Sequence, residues 1–305
     1  MKRAVSVSIG SSKRNKQTIV KLLGEEVSIE RIGTDGDMAE AARLYQELDG
    51  KVDAFGVGGA DLGFLLGTKF FPMHSVFKLI KGVHKTPVVD GNGLKNTLEH
   101  KFRTLLEGQL SSYIQPRQAL ILAGVDRWGM SRSFLDTGFD CVFGDLMFAL
   151  GLPIAIRSEK GLMNLANILM PIIGYMPFSW LYPVGKEQEK RTPKWGNFFE
   201  WAKVLAGDCN YITRYMPERM DGKVIFTNTT TTEDREQFKK AGVKFVVTST
   251  TILDGRSFGT NMMEAAIIAA LGRKEPVDYF NASDYIKLMG KIVDEINFKP
   301  QVLEF

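Results

Sequence analysis

Leu120-Ile121-Leu122-Ala123-Gly124-Val125-Asp126-Arg127-Trp128-Gly129 is the stretch on which the fold turns. Ala119–Ala123 is a continuous apolar run, the pattern of a strand buried on both faces. It enters a Gly-bounded turn, Gly124 to Gly129, and a helix follows to about Thr137. Strand, tight turn and helix in that order aim backbone N–H groups and the positive helix end at one point, where Rossmann-like sheets hold a phosphate. Asp126 departs from the pattern, because a dinucleotide turn wants glycine there and a carboxylate repels a pyrophosphate. Two readings stay open. Either Gly124, Asp126 and Gly129 border a nucleotide with the Asp126 side chain turned away, or the turn is a bare connection. Asp145 follows twenty-one positions after Gly124. An acid at that distance holds ribose hydroxyls and favours NAD over NADP; a surface acid at a strand end is the plainer reading.

Outward from this stretch, strand-like and helix-like segments alternate, which predicts an α/β protein with mainly parallel strands. Before it come strands at Ala4–Ile9, Val27–Ile32, Asp53–Val57 and Pro87–Val89, a helix from Met38 to Leu48 closed by Gly50, and a helix from Leu94 to Gly108. After it come strands at Asp140–Phe143, Val204–Ala206, Val224–Phe226 and Phe245–Thr248. Thr230 and Glu233 read as the capping box of a helix ending at Gly242. A helix through Met263 and Leu271 stops at Gly272, and Ser283 reads as the cap of a last helix. The turn-rich segment from Ser111 to Arg117 is the expected boundary. The expected organisation is an N-terminal α/β substrate domain over 1–112, a Rossmann-like doubly wound parallel sheet over 113–275, and a C-terminal helix, 276–305, packing back on the first domain.

The bulk properties narrow the function. The chain has 305 residues, 44% hydrophobic and 24% charged, with a net charge of +4. That is the balance of a soluble globular protein and too weak a basic excess for a nucleic-acid binder. The basic cluster Lys13-Arg14-Asn15-Lys16 reads as a solvated loop or an anion site. Cys141 and Cys209 fit a reducing compartment, and an N-terminus without an apolar leader core points to the cytoplasm. His74, His84 and His100 share no metal-ligand spacing, so no metal is expected. From Gly161 to Gly185 no residue is charged. Pro171, Pro177 and Pro183 interrupt it, so the stretch reads as a buried helix and an apolar loop and not as a membrane span. A lid or a subunit contact would suit it, which leaves room for a homo-oligomer.

Several polar clusters follow strands, where α/β sheets carry their ligands. Asp90-Gly91-Asn92-Gly93-Leu94-Lys95-Asn96-Thr97 offers Lys95 as a general acid/base with Asp90 to orient it; a turn and helix start explains it equally. Ser11, Ser12, Lys13 and Arg14 supply hydroxyls and cations for a substrate carboxylate. Thr227-Asn228-Thr229-Thr230-Thr231-Thr232 is suited to line a cofactor, through Asn228, Thr229 and Thr230, and a helix cap needs only one of them. The Gly-bounded loop from Asp254 to Asn261 opens a helix and offers N–H groups to a ligand, or is a plain loop and cap.

Taken together these residues resemble the shikimate/quinate dehydrogenase family. Ser11-Ser12 looks like its serine pair for the substrate carboxylate, and Gly93-Leu94-Lys95-Asn96-Thr97 is similar to its Gly-x-x-Asn-Thr segment. Thr227-Asn228-Thr229-Thr230 stands where that family has Asn-Ala-Thr-Pro beside the nicotinamide. Asp254-Gly255, with the helix through Met262-Met263-Glu264-Ala265-Ala266, looks like its Asp-Gly loop and the helix that carries a substrate-contacting amide, a role for Asn261 here. Leu152 to Asp221 lies outside the resemblance. The family's catalytic lysine and aspartate lie farther apart than Asp90 and Lys95. The methylene-tetrahydromethanopterin dehydrogenases look like the same two-domain plan. The resemblance implies an NAD- or NADP-dependent dehydrogenase of a small carboxylate-bearing secondary alcohol, with Lys95 taking the hydroxyl proton and Ser11, Ser12, Arg14, Asn96, Thr97 and Asn261 on the substrate. A nucleotide or small-molecule binding protein without turnover is the alternative.

Overall fold

The computed structural model describes residues 1–176, 191–249, 252–253 and 256–305. The chain is α/β, with parallel sheets, and divides into two compact units. One comprises Met1–Lys95, Leu169–Val184 and Ile252–Phe298; the other comprises Asn96–Ile168, Gly185–Thr251 and Lys299–Phe305. The division falls at Lys95, not near 112, and the helix opened at Thr260 belongs with the N-terminal residues and not with the second sheet.

The first unit starts with β1 (Lys2–Ser8), β2 (Lys16–Leu22), β3 (Glu25–Gly33), α1 (Met38–Leu48) and β4 (Ala54–Gly58). The hairpin β5 (Gly63–Leu66) and β6 (Lys69–Pro72), helix α2 (His74–Ile80) and β7 (Val88–Val89) complete its N-terminal part. The sheet order is β2-β3-β1-β4-β7, with β2 antiparallel and the others parallel. Neither β2 nor the β5–β6 hairpin is foreseen from the alternation of strand and helix. The chain steps from β1 outward to β3, then crosses to β4 on the other side of β1, so its switch point lies at the carboxyl ends of β1 and β4. Tyr45 pins α1 to the sheet: its buried hydroxyl lies 3.0 Å from the Val7 carbonyl and 3.1 Å from that of Gly56.

Helix α3 (Asn92–His100) carries the chain from one unit into the other, and α4 (Phe102–Glu107) follows. One continuous helix was the expectation; it is interrupted at Lys101. The second unit holds β8 (Gln118–Ile121), α5 (Trp128–Asp136), β9 (Asp140–Phe143) and the start of α6 (Glu159–Ile173). It continues with α7 (Gly196–Trp201), β10 (Val204–Ala206), α8 (Cys209–Tyr215), β11 (Val224–Thr227), α9 (Thr232–Lys240) and β12 (Phe245–Thr248). The capping box of α9 uses Thr231 and Asp234, one residue beyond the expected pair. Pro171 sits within the last turn of α6 and does not end it there; a proline so placed forgoes one intrahelical bond, and the helix stops two residues later. Pro177 and Pro183 lie outside the described residues. No described helix is long and apolar enough to cross a membrane.

Short strands β13 (Ile252–Leu253) and β14 (Arg256–Ser257) pair with each other, and the chain then gives the first unit α10 (Thr260–Ala270) and α11 (Ala282–Glu295). Asn281 takes the N-cap position of α11, so Ser283 lies inside its first turn. Helix α10 is apolar on all sides, as a helix enclosed in a core must be. Met262 to Ala269 are all buried, including the one acid among them, Glu264. The last strand, β15 (Gln301–Glu304), returns to the second unit and pairs antiparallel with β12, an edge the periodicity does not announce. The second sheet runs β15-β12-β11-β10-β8-β9, with its switch point between β8 and β10. Leu120, Val142, Leu205, Ile225 and Val246 form the centre of its core.

Candidate functional site

The carboxyl ends of β3, β1, β4 and β7 form the polar edge of the first unit. The loop after β1 is stapled from several sides. Ser12 donates its amide to Asp35 (2.8 Å), Gly33 donates to the Asn15 side chain (2.6 Å), and the Ser11 hydroxyl accepts from the Lys13 amide (3.3 Å). Ser11 and Ser12 thus shape the loop, where a role on a substrate carboxylate was expected. The cation within the loop is one the sequence reading passed over. Arg31, on β3, donates to the Ser8 hydroxyl (2.9 Å) and the Ser11 carbonyl (2.9 Å), and forms no ion pair among the described residues. Partial burial and then the nearby Arg14 guanidinium hold the Arg31 pKa below its ordinary value. The Asp35 carboxylate, held by Ser12, pulls the Arg31 value back up in part, and two guanidinium groups beside one acid keep a net positive charge suited to an anion.

On the β4 and β7 side stands Lys95, in the second turn of α3. Its side chain is 7% exposed, and its ammonium lies 3.1 Å from the Asp61 carboxylate. Asp61 sits three residues beyond the end of β4. The expected partner, Asp90, is used otherwise: it accepts from the Leu62 amide (2.8 Å), the Asn92 amide (2.9 Å), the Asn92 side chain (2.6 Å) and the Tyr279 hydroxyl (2.9 Å). The reason is geometric, since an acid directly after a strand closes its own turn onto the amide two residues on, here Asn92. Tyr279 also approaches Glu264 (3.4 Å), which accepts from Tyr285 (2.6 Å) and from the Leu94 amide (2.7 Å). Burial, and then the Asp90 charge, push the Glu264 carboxyl up to about 8. A lone acid in an apolar helix is the signal that marks Glu264 in the sequence.

Gly91, at φ +94°, allows α10 to approach: a Cβ there would stand 2.6 Å from the Asn261 nitrogen. Asn261 turns its amide inward and donates to Ser6 (2.7 Å), a buried residue of β1, so it fastens the helix to the sheet in place of the expected substrate contact. Asp254 and Gly255 lie outside the described residues.

In the second unit, the turn after β8 is already occupied. The Asp145 carboxylate accepts from the amides of Gly124 (3.0 Å) and Val125 (2.9 Å). The acid expected on a ribose therefore takes the position expected of a phosphate. Burial lifts Asp145 to about 6, against the opposing pull of these amides, and Asp126 adds to the rise. The amide of Gly129 is also taken, by the Asn96 side chain (2.9 Å), and a Cβ on Gly129 would stand 2.7 Å from the Asn96 Cα. Gly129 serves close packing of α3, not ligand approach. At Gly124 a Cβ would meet the Phe143 ring at 2.6 Å.

Asp126 has a cation beside it. Arg127 is buried and pairs with Glu99 (2.8 Å), Asp208 (2.7 Å) and Asp126 (3.2 Å). Burial lowers its pKa, and these three carboxylates more than offset that. Asn228 donates to Asp208 (2.7 Å) and accepts from the Cys209 amide (3.2 Å). It orders the start of α8, while Thr229 and Thr230 are half-buried beyond β11, and Thr97 is half-buried on α3. Among the described residues no group of three or more His, Cys, Asp or Glu is placed to hold a metal.

These features define a two-unit α/β protein with a doubly wound, Rossmann-like second sheet and polar clusters at the strand ends of both units. Residues 93–305 match the family model described as a domain of unknown function, DUF8754, and the chain belongs to that family. Residues 3–90 match a second domain of unknown function, DUF8753. No curated protein matches the sequence. Among solved structures, the chain is similar to the malic enzyme of Entamoeba histolytica at 10% identity and a TM-score of 0.39, over 97% of this chain and 75% of that one. It is similar to the NAD-dependent malic enzyme of Thermotoga maritima at 12% identity and a TM-score of 0.39, over 90% and 73%. A sugar transport substrate-binding protein of Bordetella parapertussis aligns at 10% identity and a TM-score of 0.34, over 100% and 89%.

Proposed function

We propose that the chain is an enzyme of the oxidoreductase class acting on a small carboxylate-bearing alcohol, with Lys95 as the group that exchanges the hydroxyl proton. The observation that carries this is the Lys95–Asp61 pair, a lysine side chain 7% exposed whose ammonium lies 3.1 Å from the Asp61 carboxylate, beyond the ends of parallel strands. Arg31 and Arg14 lie across β1 from it. Neighbouring strands are about 4.8 Å apart, so β3, which carries Arg31, and β4, which leads to Asp61, run roughly 10 Å apart. That span suits a short hydroxy acid whose carboxylate meets the guanidinium groups while its hydroxyl meets Lys95. Lys95, after releasing a proton to solvent, takes the hydroxyl proton, and Asp61 stabilises the ammonium that forms.

NAD or NADP would supply the hydride acceptor in such a reaction. The residues of the Gly124–Gly129 turn do not fit its pyrophosphate as they stand, because Asp145 holds two of the amides and carries charge of the same sign. The same observation favours a second reading, a small-molecule binding protein without turnover. Incubation with NAD or NADP and a panel of hydroxy acids, followed at the reduced-nicotinamide absorbance band, separates the two. The enzyme reading expects turnover in the native protein and a loss of about 100-fold or more in Lys95→Ala. Saturable binding of a hydroxy acid with no absorbance change under any condition would leave the second reading.

A further inference from the structure

The first unit contains a cavity of about 360 Å³ that no step above uses. It lies beside Thr86 and Val88, at the start of β7, whereas the polar site lies beyond the carboxyl end of that strand. Leu62, Ile80, Val88, Val277 and Phe280 give it apolar walls. Lys85 and Lys274 also line it. Lys274 pairs with Asp53 (3.2 Å), while Lys85 makes no ion pair among the described residues. The one acid in the lining, Asp278, is engaged by the Phe280 amide (2.9 Å) and the Asn281 side chain (2.7 Å). The backbone under Lys85 is held in place, since Asp49 accepts from the amides of His84, Lys85 and Thr86.

We propose that this cavity is a second ligand site, for a small anion with an aromatic or branched apolar body, such as an aromatic carboxylate. Its volume falls in the range of pockets that enclose small molecules. The walls take the apolar body, and Lys85 takes the charge. Two lining residues also touch the buried acid network. Leu62 donates its amide to Asp90, and Tyr279 donates its hydroxyl to the same carboxylate. Leu62 follows Asp61, the partner of Lys95, directly in the chain. A ligand pressing on Leu62 and Tyr279 is thus one residue removed from the Lys95–Asp61 pair.

Calorimetric titration of the full chain with 1-naphthoate tests the site. The expected result is saturable binding of one molecule per chain. Lys85→Gln should weaken it about tenfold, the worth of one charge-assisted contact. Val277→Trp should abolish it by filling the cavity from a loop, and 1-naphthalenemethanol, of similar shape and uncharged, should bind as weakly as naphthoate binds to Lys85→Gln. Circular dichroism melts establish that both variants are folded. No saturable heat with the native chain, or equal affinity in the native chain and in both folded variants, overturns the proposal.

Discussion

Replacing Glu264 by Gln turns the buried acid network into a measurement. The Glu264 carboxyl moves from 4.5 in the unfolded chain to about 8 in the folded one, with burial as the main cause and Asp90 the next. At 1.36 kcal/mol per pH unit this amounts to about 5 kcal/mol between the two protonation states. The folded state keeps a proton that the unfolded chain has released, so stability is greatest below the unfolded value and falls as pH rises towards the folded one. Asp145, lifted to about 6, gives a slope of the same sign, but only at lower pH. Above about pH 7 the slope therefore belongs to Glu264. Glutamine has nearly the same shape and does not titrate. Its carbonyl can keep the bond from the Leu94 amide while its NH2 meets the Tyr285 oxygen, at a constant cost of about 1 kcal/mol. Urea unfolding of the native chain should lose about 1 kcal/mol between roughly pH 7 and pH 8. Glu264→Gln should lose almost none over that interval and should be the more stable of the two at its upper end. A native chain of constant stability there, or a variant with the native slope, would refute the reasoning.

Asp145→Asn keeps the side-chain shape and removes the charge that opposes a phosphate. NAD and NADP should bind this variant at least as well as the native chain by tryptophan fluorescence titration; weaker binding would show that the acid assists the nucleotide. Gly129→Ala places a methyl group against the Asn96 backbone and should cost about 2–3 kcal/mol in urea unfolding, because neither main chain can yield cheaply. Arg31→Gln removes the charge, and its shorter side chain no longer spans both the Ser8 and Ser11 contacts. It should weaken binding of hydroxy-acid carboxylates by about tenfold while uncharged alcohols are unaffected.

The parallel strands of both sheets are legible because β-branched and apolar runs give way to Gly or Asp at or shortly after the strand ends, as at Gly58, Asp90 and Gly124. Periodicity also brings out α1, α5 and α10. It is silent on partners. Lys95 finds Asp61, thirty-four residues earlier, because the sheet order sets β4 beside β7; Asp90, five residues away, satisfies its own turn. The position of Asp145 beyond β9 follows from its spacing, but its use does not. The return of its carboxylate onto Gly124 and Val125 depends on the turn at Gly144 and on the pairing of β8 with β9. Arg31 is hidden for another reason: on a strand with mixed polar and apolar residues, nothing in the pattern shows which cation faces the β1 loop. The return of α10 and α11 to the first unit and of β15 to the second is long-range topology. An all-apolar helix declares that it is buried without declaring against what.

In the proposed reaction Lys95 moves the proton and Arg31 anchors the carboxylate. Substrate affinity and turnover measured side by side in Lys95→Ala and Arg31→Gln examine that division most directly, using any hydroxy acid that the native chain oxidises. Lys95→Ala should bind the acid with near-native affinity and turn it over about 100-fold more slowly or worse, while Arg31→Gln should lose affinity first. Native turnover in Lys95→Ala, or a loss confined to affinity in that variant, would contradict it.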